Sequence, residues 1–195
     1  MAAVPVVVFS DFTCPFSYVT EAVLRRLEGE GLAAPAYAAF ELYPAPAPLP
    51  PPDAAPVEAA RPLAEAAGVE LRPPAAGART RKAHEAAKFA GQRGVEREMR
   101  EALFAAYFRD GRDVGRIDVL VELGAALGLD LSELKAVLDV DGMTAEVERD
   151  EALARRAGVT ATPVLLVGQP PKIEVLAGAQ GYRALREALE RAAEG

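Results

Sequence analysis

A nearly unbroken apolar run, "VPVVVFS" over residues 4–10, opens the chain and predicts a strand buried on both faces. The pattern then changes period. Val19, Val23, Leu24 and Leu27 recur at helical spacing, with Tyr18, Ala22 and Arg25 on the other side, and Gly29 and Gly31 close the helix. Pro15 suits its first turn, where a missing N–H costs nothing. "APAYAAFEL" (34–42) predicts a second strand, and the proline-dominated stretch that follows predicts a stiff extended crossing. Residues 57–67 are Ala-rich and carry Pro62, which limits them to one broken helix or a pair of turns.

From Thr80 to Ala157 the periodicity is helical throughout. Ala83, Ala86, Ala87 and Ala90 form a narrow face suited to close packing. Val95, Met99, Ala102, Leu103 and Ala106 share another face, which Phe104, Tyr107 and Phe108 broaden into a core stripe. Asp130 and Glu133 have capping-box spacing, and a last helix of this stretch spans Thr144 to Gly158. Strand patterns return in "TPVLLVG" (162–168) and "KIEVLAG" (172–178), and an amphipathic helix ends the sequence. No repeat of 20–50 residues recurs. The order predicts an α/β fold with an all-helical insertion. Residues 1–60 and 158–195 would form the α/β domain, and 61–157 the helical subdomain.

Composition narrows the function classes. A net charge of -7 in 195 residues argues against a general nucleic-acid binder. The first apolar run is too short for a signal peptide or a membrane span, so a cytoplasmic protein with no membrane partner is expected. The one cysteine cannot make an internal disulfide. One His and one Cys make a metal site from soft ligands improbable. The chain has no Asn, three Gln and many more Arg than Lys, a bias shared by proteins of hot habitats and by GC-rich coding.

The candidate chemistry starts in "SDFTCPFSYVTE" (10–21). Cys14 stands between a buried strand and a Pro-led helix, where a capping residue would ordinarily be Ser, Thr, Asp or Asn. A helix N-terminus favours the thiolate, whereas Phe12, Phe16 and roofing helices would disfavour it by desolvation. The cap is expected to win and to make Cys14 reactive near neutral pH. Thr162-Pro163 is the second feature. Proline heads a strand there, after a peptide bond that is either cis or trans on local grounds. His84, on an Ala-rich helix, reads as solvated or half-packed, and the carboxylates of "VERDE" (147–151) and "REALERAAEG" (186–195) as solvated helix faces.

These features together resemble one family. Strand, D-F-x-C-P-F-S at a helix start, "FELYP" (40–44), "TRKAHEAAKFA" (80–90), "LFAAYFRDGRDV" and "VERDEALARRAGVTATP" are similar in order and spacing to the DsbA-like branch of the thioredoxin superfamily, especially its FrnE-type members. The resemblance implies a thioredoxin fold with the Thr162-Pro163 bond cis and facing Cys14. It implies a thiol–disulfide oxidoreductase in which Cys14 is nucleophile and Ser17 its hydrogen-bond partner. Pro15, Phe16, Thr162 and Pro163 would support them. Typical members carry C-x-x-C; here Ser17 replaces the second cysteine, which leaves monothiol chemistry through mixed disulfides. The motif also resembles the sister branch of 2-hydroxychromene-2-carboxylate isomerases and kappa-class glutathione transferases, in which Cys14 would sit beside a bound thiol cofactor. A non-catalytic thioredoxin-fold binding protein is the third reading. No tightly bound cofactor is expected. Glutathione or another low-molecular-weight thiol is the implied co-reactant, a thiol or disulfide the implied partner, and a homodimer one allowed state.

Overall fold

The computed structural model describes residues 2–194; Met1 and Gly195, end residues of the segments expected to form the α/β domain, lie outside the described residues. The two ends of the chain meet in one four-stranded sheet. Strand β1 (Val4–Ser10) pairs in parallel with β2 (Ala33–Ala39) and antiparallel with β3 (Val164–Gln169), and β3 pairs antiparallel with β4 (Lys172–Ala177). The order is β2-β1-β3-β4. Helix α1 (Pro15–Gly29) connects β1 to β2, as a parallel pair requires a crossover. The remaining helices are α2 (Ala55–Ala67), α3 (Arg81–Gly91), α4 (Glu96–Phe108), α5 (Ile117–Ala126), α6 (Leu131–Asp139), α7 (Thr144–Arg156) and α8 (Tyr182–Ala193). Helices α2–α7 lie between β2 and β3 in the chain, and no strand interrupts them.

Alternation along the strands decides which face each residue serves. Val4, Val6, Val8, Leu165 and Val167 point toward α1 and α8, where Val23, Leu24, Leu27, Leu185 and Leu189 close a dry layer. The other face is covered only toward the end of β1 that leads to Cys14: Phe9, Ala38 and Val164 pack with Ala154 and Val159 at the C-terminal end of α7. Val7 and Leu166 remain half-buried, and Val175 of β4 is exposed. The expected two-sided burial of β1 therefore holds only where α7 reaches it.

A second core fills the helical layer. Ala83, Ala86, Ala87 and Ala90 of α3 are fully buried, and their small side chains fit against Met99, Leu103, Phe104 and Phe108 of α4. Asp130 caps α6, its Oδ1 accepting the Glu133 N–H at 2.9 Å. Two elements differ from their sequence patterns. Strand β2 ends at Ala39, because Glu41 and Leu42 turn away to serve polar partners elsewhere. Helix α2 runs unbroken through Pro62. Val57, Ala60 and Ala64 make a buried stripe, while Pro62 faces solvent, where water can reach the Glu58 carbonyl that the proline ring leaves unpaired. Tertiary burial thus overrides the local penalty. Replacing Pro62 with Ala restores that hydrogen bond and should stabilise the fold by about 1–2 kcal/mol, read as a higher urea midpoint with unchanged slope.

Candidate functional site

The site forms where β1 passes into α1. Cys14 is the N-cap of α1 with an extended backbone (φ -94°, ψ 112°) and Pro15 follows it as the first helical residue. The bond between Thr162 and Pro163, just before β3, is cis. Because β3 lies beside β1, this turn is carried to the start of α1, and the Cys14 Sγ donates to the Thr162 carbonyl at 3.3 Å. Pro163 is buried, and the Thr162 Oγ1 is buried with no hydrogen-bond partner. The structure therefore brings together Cys14, Pro15, Ser17, Thr162 and Pro163 from opposite ends of the chain. Phe16 is half-buried against the helical core.

Ser17 is fully buried one turn into α1, and its Oγ accepts the Asp11 N–H at 3.5 Å. Its hydroxyl proton is thereby left for the thiol side. Cys14 itself is only 5 % exposed. Burial pushes its thiol above the ordinary value of 9.0, and hydrogen bonding from Ser17 opposes this only in part. The expectation that the cap would win is thus reversed in the resting protein. Hydrogen bonding from the Ser17 N–H also favours the thiolate, but burial outweighs it. The thiol donates to a carbonyl as well, and such a bond holds the proton on sulfur.

Asp11 is the aspartate of the D-F-x-C motif, and its partners Leu42 and Thr80 lie too far along the chain for the motif to reveal them. It is fully buried, yet each carboxylate oxygen is occupied. Oδ1 accepts the N–H and hydroxyl of Thr13 at 2.7 and 2.5 Å, and Oδ2 accepts Leu42 N–H at 2.9 Å and Thr80 Oγ1–H at 2.8 Å. Burial works to raise its pKa, but these bonds and the neighbouring His84 hold it below 3.8. Its main chain reaches the site directly, the carbonyl accepting the Cys14 N–H at 3.1 Å.

His84 is not solvated. It is 1 % exposed, packs against the Phe12 ring at 4.8 Å between centroids, and places Nε2 3.9 Å from Asp11 Oδ2. Burial lowers its pKa below 6.5, with Asp11 opposing, and neither ring nitrogen has a hydrogen-bond partner. Two acidic residues of α7, Asp150 and Glu151, also depart from their expected solvated state, whereas Glu148 is exposed as expected. Asp150 accepts the Ala39 N–H at 2.9 Å and pairs with Lys88 at 2.7 Å, and Glu151 lies 3.4 Å from Arg81. They clamp α7 to the end of β2 and to α3. Arg81 also meets Glu41 at 2.6 Å, where burial lifts the Glu41 pKa to about 7.

A second polar cluster supports the site from below. Arg100 of α4, 1 % exposed, grips both oxygens of Glu21 at 2.6 and 2.8 Å and donates to Ser10 Oγ at 2.6 Å. The sequence clue was spacing: Glu21 follows Ser17 by one turn, so both project from one side of α1. Beside Thr13 and Pro15 opens a cleft of about 150 Å³, walled by the prolines of residues 50–52 and by Val57, Tyr107 and Phe108. Among the described residues no group of three or more His, Cys, Asp or Glu is placed to hold a metal ion.

Comparison with known proteins follows this geometry. The family profile described as DSBA-like thioredoxin domain matches residues 5–190. A Bacillus subtilis protein, the uncharacterized protein YwbO, is 29% identical over 194 residues, covering 93% of this chain and 94% of that protein. A crystal structure of a probable DsbA oxidoreductase from Streptomyces coelicolor superposes with a TM-score of 0.84 at 26% identity, over 98% of this chain and 90% of that one. The cytosolic disulfide reductase DsbM from Pseudomonas aeruginosa, solved with GSH, gives a TM-score of 0.72 at 19% identity, over 98% and 100% of the two chains, and shares the fold.

The Asp11 contacts predict their own loss. Asp11→Ala leaves the Leu42 N–H and the Thr80 hydroxyl without acceptors in a dry site and should cost about 2–4 kcal/mol in chemical denaturation. Because the folded pKa of Asp11 is depressed, its contribution is present above 3.8 and disappears as pH falls through the lower folded value. The difference between wild type and Asp11→Ala should therefore be constant near neutrality and shrink in acid.

Proposed function

The chain belongs to the DSBA-like thioredoxin domain family, and on that premise we propose that it is a monothiol thiol–disulfide oxidoreductase with Cys14 as nucleophile. The observation that carries this reading is the approach of the Cys14 Sγ to the carbonyl of Thr162, at 3.3 Å, across a cis peptide bond. A substrate disulfide seated there meets the sulfur and a free backbone edge together. In the reaction the Cys14 sulfur attacks one sulfur of the substrate. A Cys14–substrate disulfide forms, the substrate S–S bond breaks, and the departing thiolate takes up a proton. A second thiol then attacks the mixed disulfide and returns Cys14 to the reduced form. With serine at position 17, that second thiol must come from outside the chain. Glutathione or another low-molecular-weight thiol fits this role, and the DsbM structure with GSH supports it.

The raised thiol pKa is compatible with this chemistry because of what holds the proton. Thr162 O accepts from the thiol in the resting state. An extended substrate whose N–H takes over that carbonyl removes the acceptor, while Ser17 remains to favour the thiolate. The unpartnered Thr162 hydroxyl is a further group a substrate can use. Thr162 and Pro163 thus present the binding edge, Pro15 opens the helix and Phe16 anchors it.

The burial of Cys14 also favours a second reading, a glutathione-dependent isomerase or transferase in which the sulfur stays beside a bound thiol without covalent exchange. The single cysteine suits a cytoplasmic protein. Among the described residues no helix is long and apolar enough to cross a membrane.

Alkylation kinetics test the proposal. At pH 7 Cys14 should react more slowly than a free thiol of pKa 9.0, and its rate should rise about tenfold per pH unit until the pH passes 9. Ser17→Ala should slow it further, and Ser17→Cys should form a reducible internal disulfide. Since the thiol pKa is raised on folding, its contribution to stability is full below pH 9 and is lost as pH climbs through the folded value; Cys14→Ala should remove that alkaline loss. Mixed-disulfide formation with turnover by an added thiol supports the oxidoreductase. Saturable glutathione binding without an adduct supports the isomerase or transferase. A Cys14 that neither reacts nor senses a bound thiol leaves only a binding protein.

A further inference from the structure

We propose that the cleft beside Cys14 selects a small amino-thiol or its disulfide, with an apolar body and a cationic end, and discriminates against carboxylate-bearing thiols. This rests on the reading of Cys14 as the reacting thiol and adds the substrate class. Thr13 and Pro15, the two neighbours of Cys14, both line the cleft, so a group joined to the sulfur can extend into it. The walls are prolyl and aromatic, which favours an apolar body.

Charge decides the rest. Among the described residues lining the cleft, Asp53 alone carries a charge. Its Oδ1 accepts the Ala55 N–H at 2.9 Å and its other oxygen is left for a ligand. Two of the other polar side chains are engaged, Thr13 Oγ1 donating to Asp11 and the Tyr107 hydroxyl to the Ala76 carbonyl at 3.2 Å, while Tyr43 stands exposed at the edge. Among the described residues no cation lines the cleft. Arg79 behind the wall donates to the carbonyls of Tyr43 and Ala47, and the arginines of the adjoining segments face carboxylates, Arg72 on Glu70, Arg109 on Asp110 and Arg112 on Glu122. An ammonium group placed in the cleft meets the Asp53 carboxylate, whereas a ligand carboxylate meets repulsion from it.

Three symmetrical disulfides with equal two-carbon arms isolate this effect: cystamine, bis(2-hydroxyethyl) disulfide and 3,3′-dithiodipropionate. The reduced full-length protein is mixed with each, and the rate of Cys14 adduct formation is followed by intact mass. Each rate is divided by that of a neutral model thiol, N-acetylcysteinamide, to remove intrinsic reactivity. The normalised rates should fall in the order written, with about tenfold between the extremes, the size of a 1.4 kcal/mol preference. Asp53→Asn keeps an acceptor for Ala55 and should compress the series, and Asp53→Lys should invert it. Glu187→Lys, an equal charge change on α8 outside the cleft, should leave it unchanged. Equal normalised rates, a series indifferent to Asp53, or one that Glu187→Lys shifts as far as Asp53→Lys does would overturn the selectivity while leaving Cys14 as the reacting thiol. Absence of an adduct with all three would overturn that reading and this one together.

Discussion

The fold depends on satisfying two buried polar residues at the end of a hydrophobic strand. Ser10 and Asp11 are fully enclosed where β1 stops, in a place that would be far more stable for apolar side chains unless every polar atom found a partner. The partners come from distant parts of the chain. Asp11 gathers donors from Thr13, Leu42 and Thr80, and Ser10 joins Glu21 and Arg100. Thr80 and Arg100 belong to the helical layer, so the same bonds that satisfy the strand end also fix that layer above the sheet. The guanidinium of Arg100, 4.9 Å from the Phe12 ring and 4.5 Å from that of Tyr37, extends the joint with aromatic contacts.

That joint sets the cysteine geometry. The Asp11 main chain accepts the Cys14 N–H with its carbonyl and donates its own N–H to Ser17 Oγ, while the Asp11 side chain fixes Thr13 between them. The cap of α1 is therefore held at three points before the cis peptide at Thr162 is considered. With one cysteine in the chain no internal disulfide can define this geometry, and a buried carboxylate holds it instead.

What could be read from the sequence was whatever depends on neighbours along the chain. Strand and helix periods, the Gly-closed first helix, the Asp130 cap and the Cys14–Pro15 helix opening all belong to that class. The resemblance added the approach of Thr162 to Cys14, across 148 residues, which no local pattern contains. Readings failed where a remote element supplied the burial. Pro62 sits in a continuous helix because Val57, Ala60 and Ala64 lie against the core, and His84 is dry because Phe12 covers it. Asp150 looked like any acidic residue on a charged helix until the end of β2 offered its N–H. The balance at Cys14 went the same way: a helix start was legible, but the depth of the sulfur was not.

Depth and chemistry are coupled at that sulfur. An exposed, permanently ionised thiolate with no resolving cysteine would be open to oxidation and to capping by any disulfide, with nothing in the chain to reverse either. On the proposed function, a thiol held protonated against the Thr162 carbonyl reacts slowly until that carbonyl is given another donor. The substrate can be that donor, since its extended backbone would pair with the same edge. On the proposed function ionisation then follows binding, and the thiolate is favoured once its target disulfide is in place. On this reading burial is part of the catalytic design: the free energy that disfavours the charged sulfur in the resting protein is what makes its reactivity conditional on substrate.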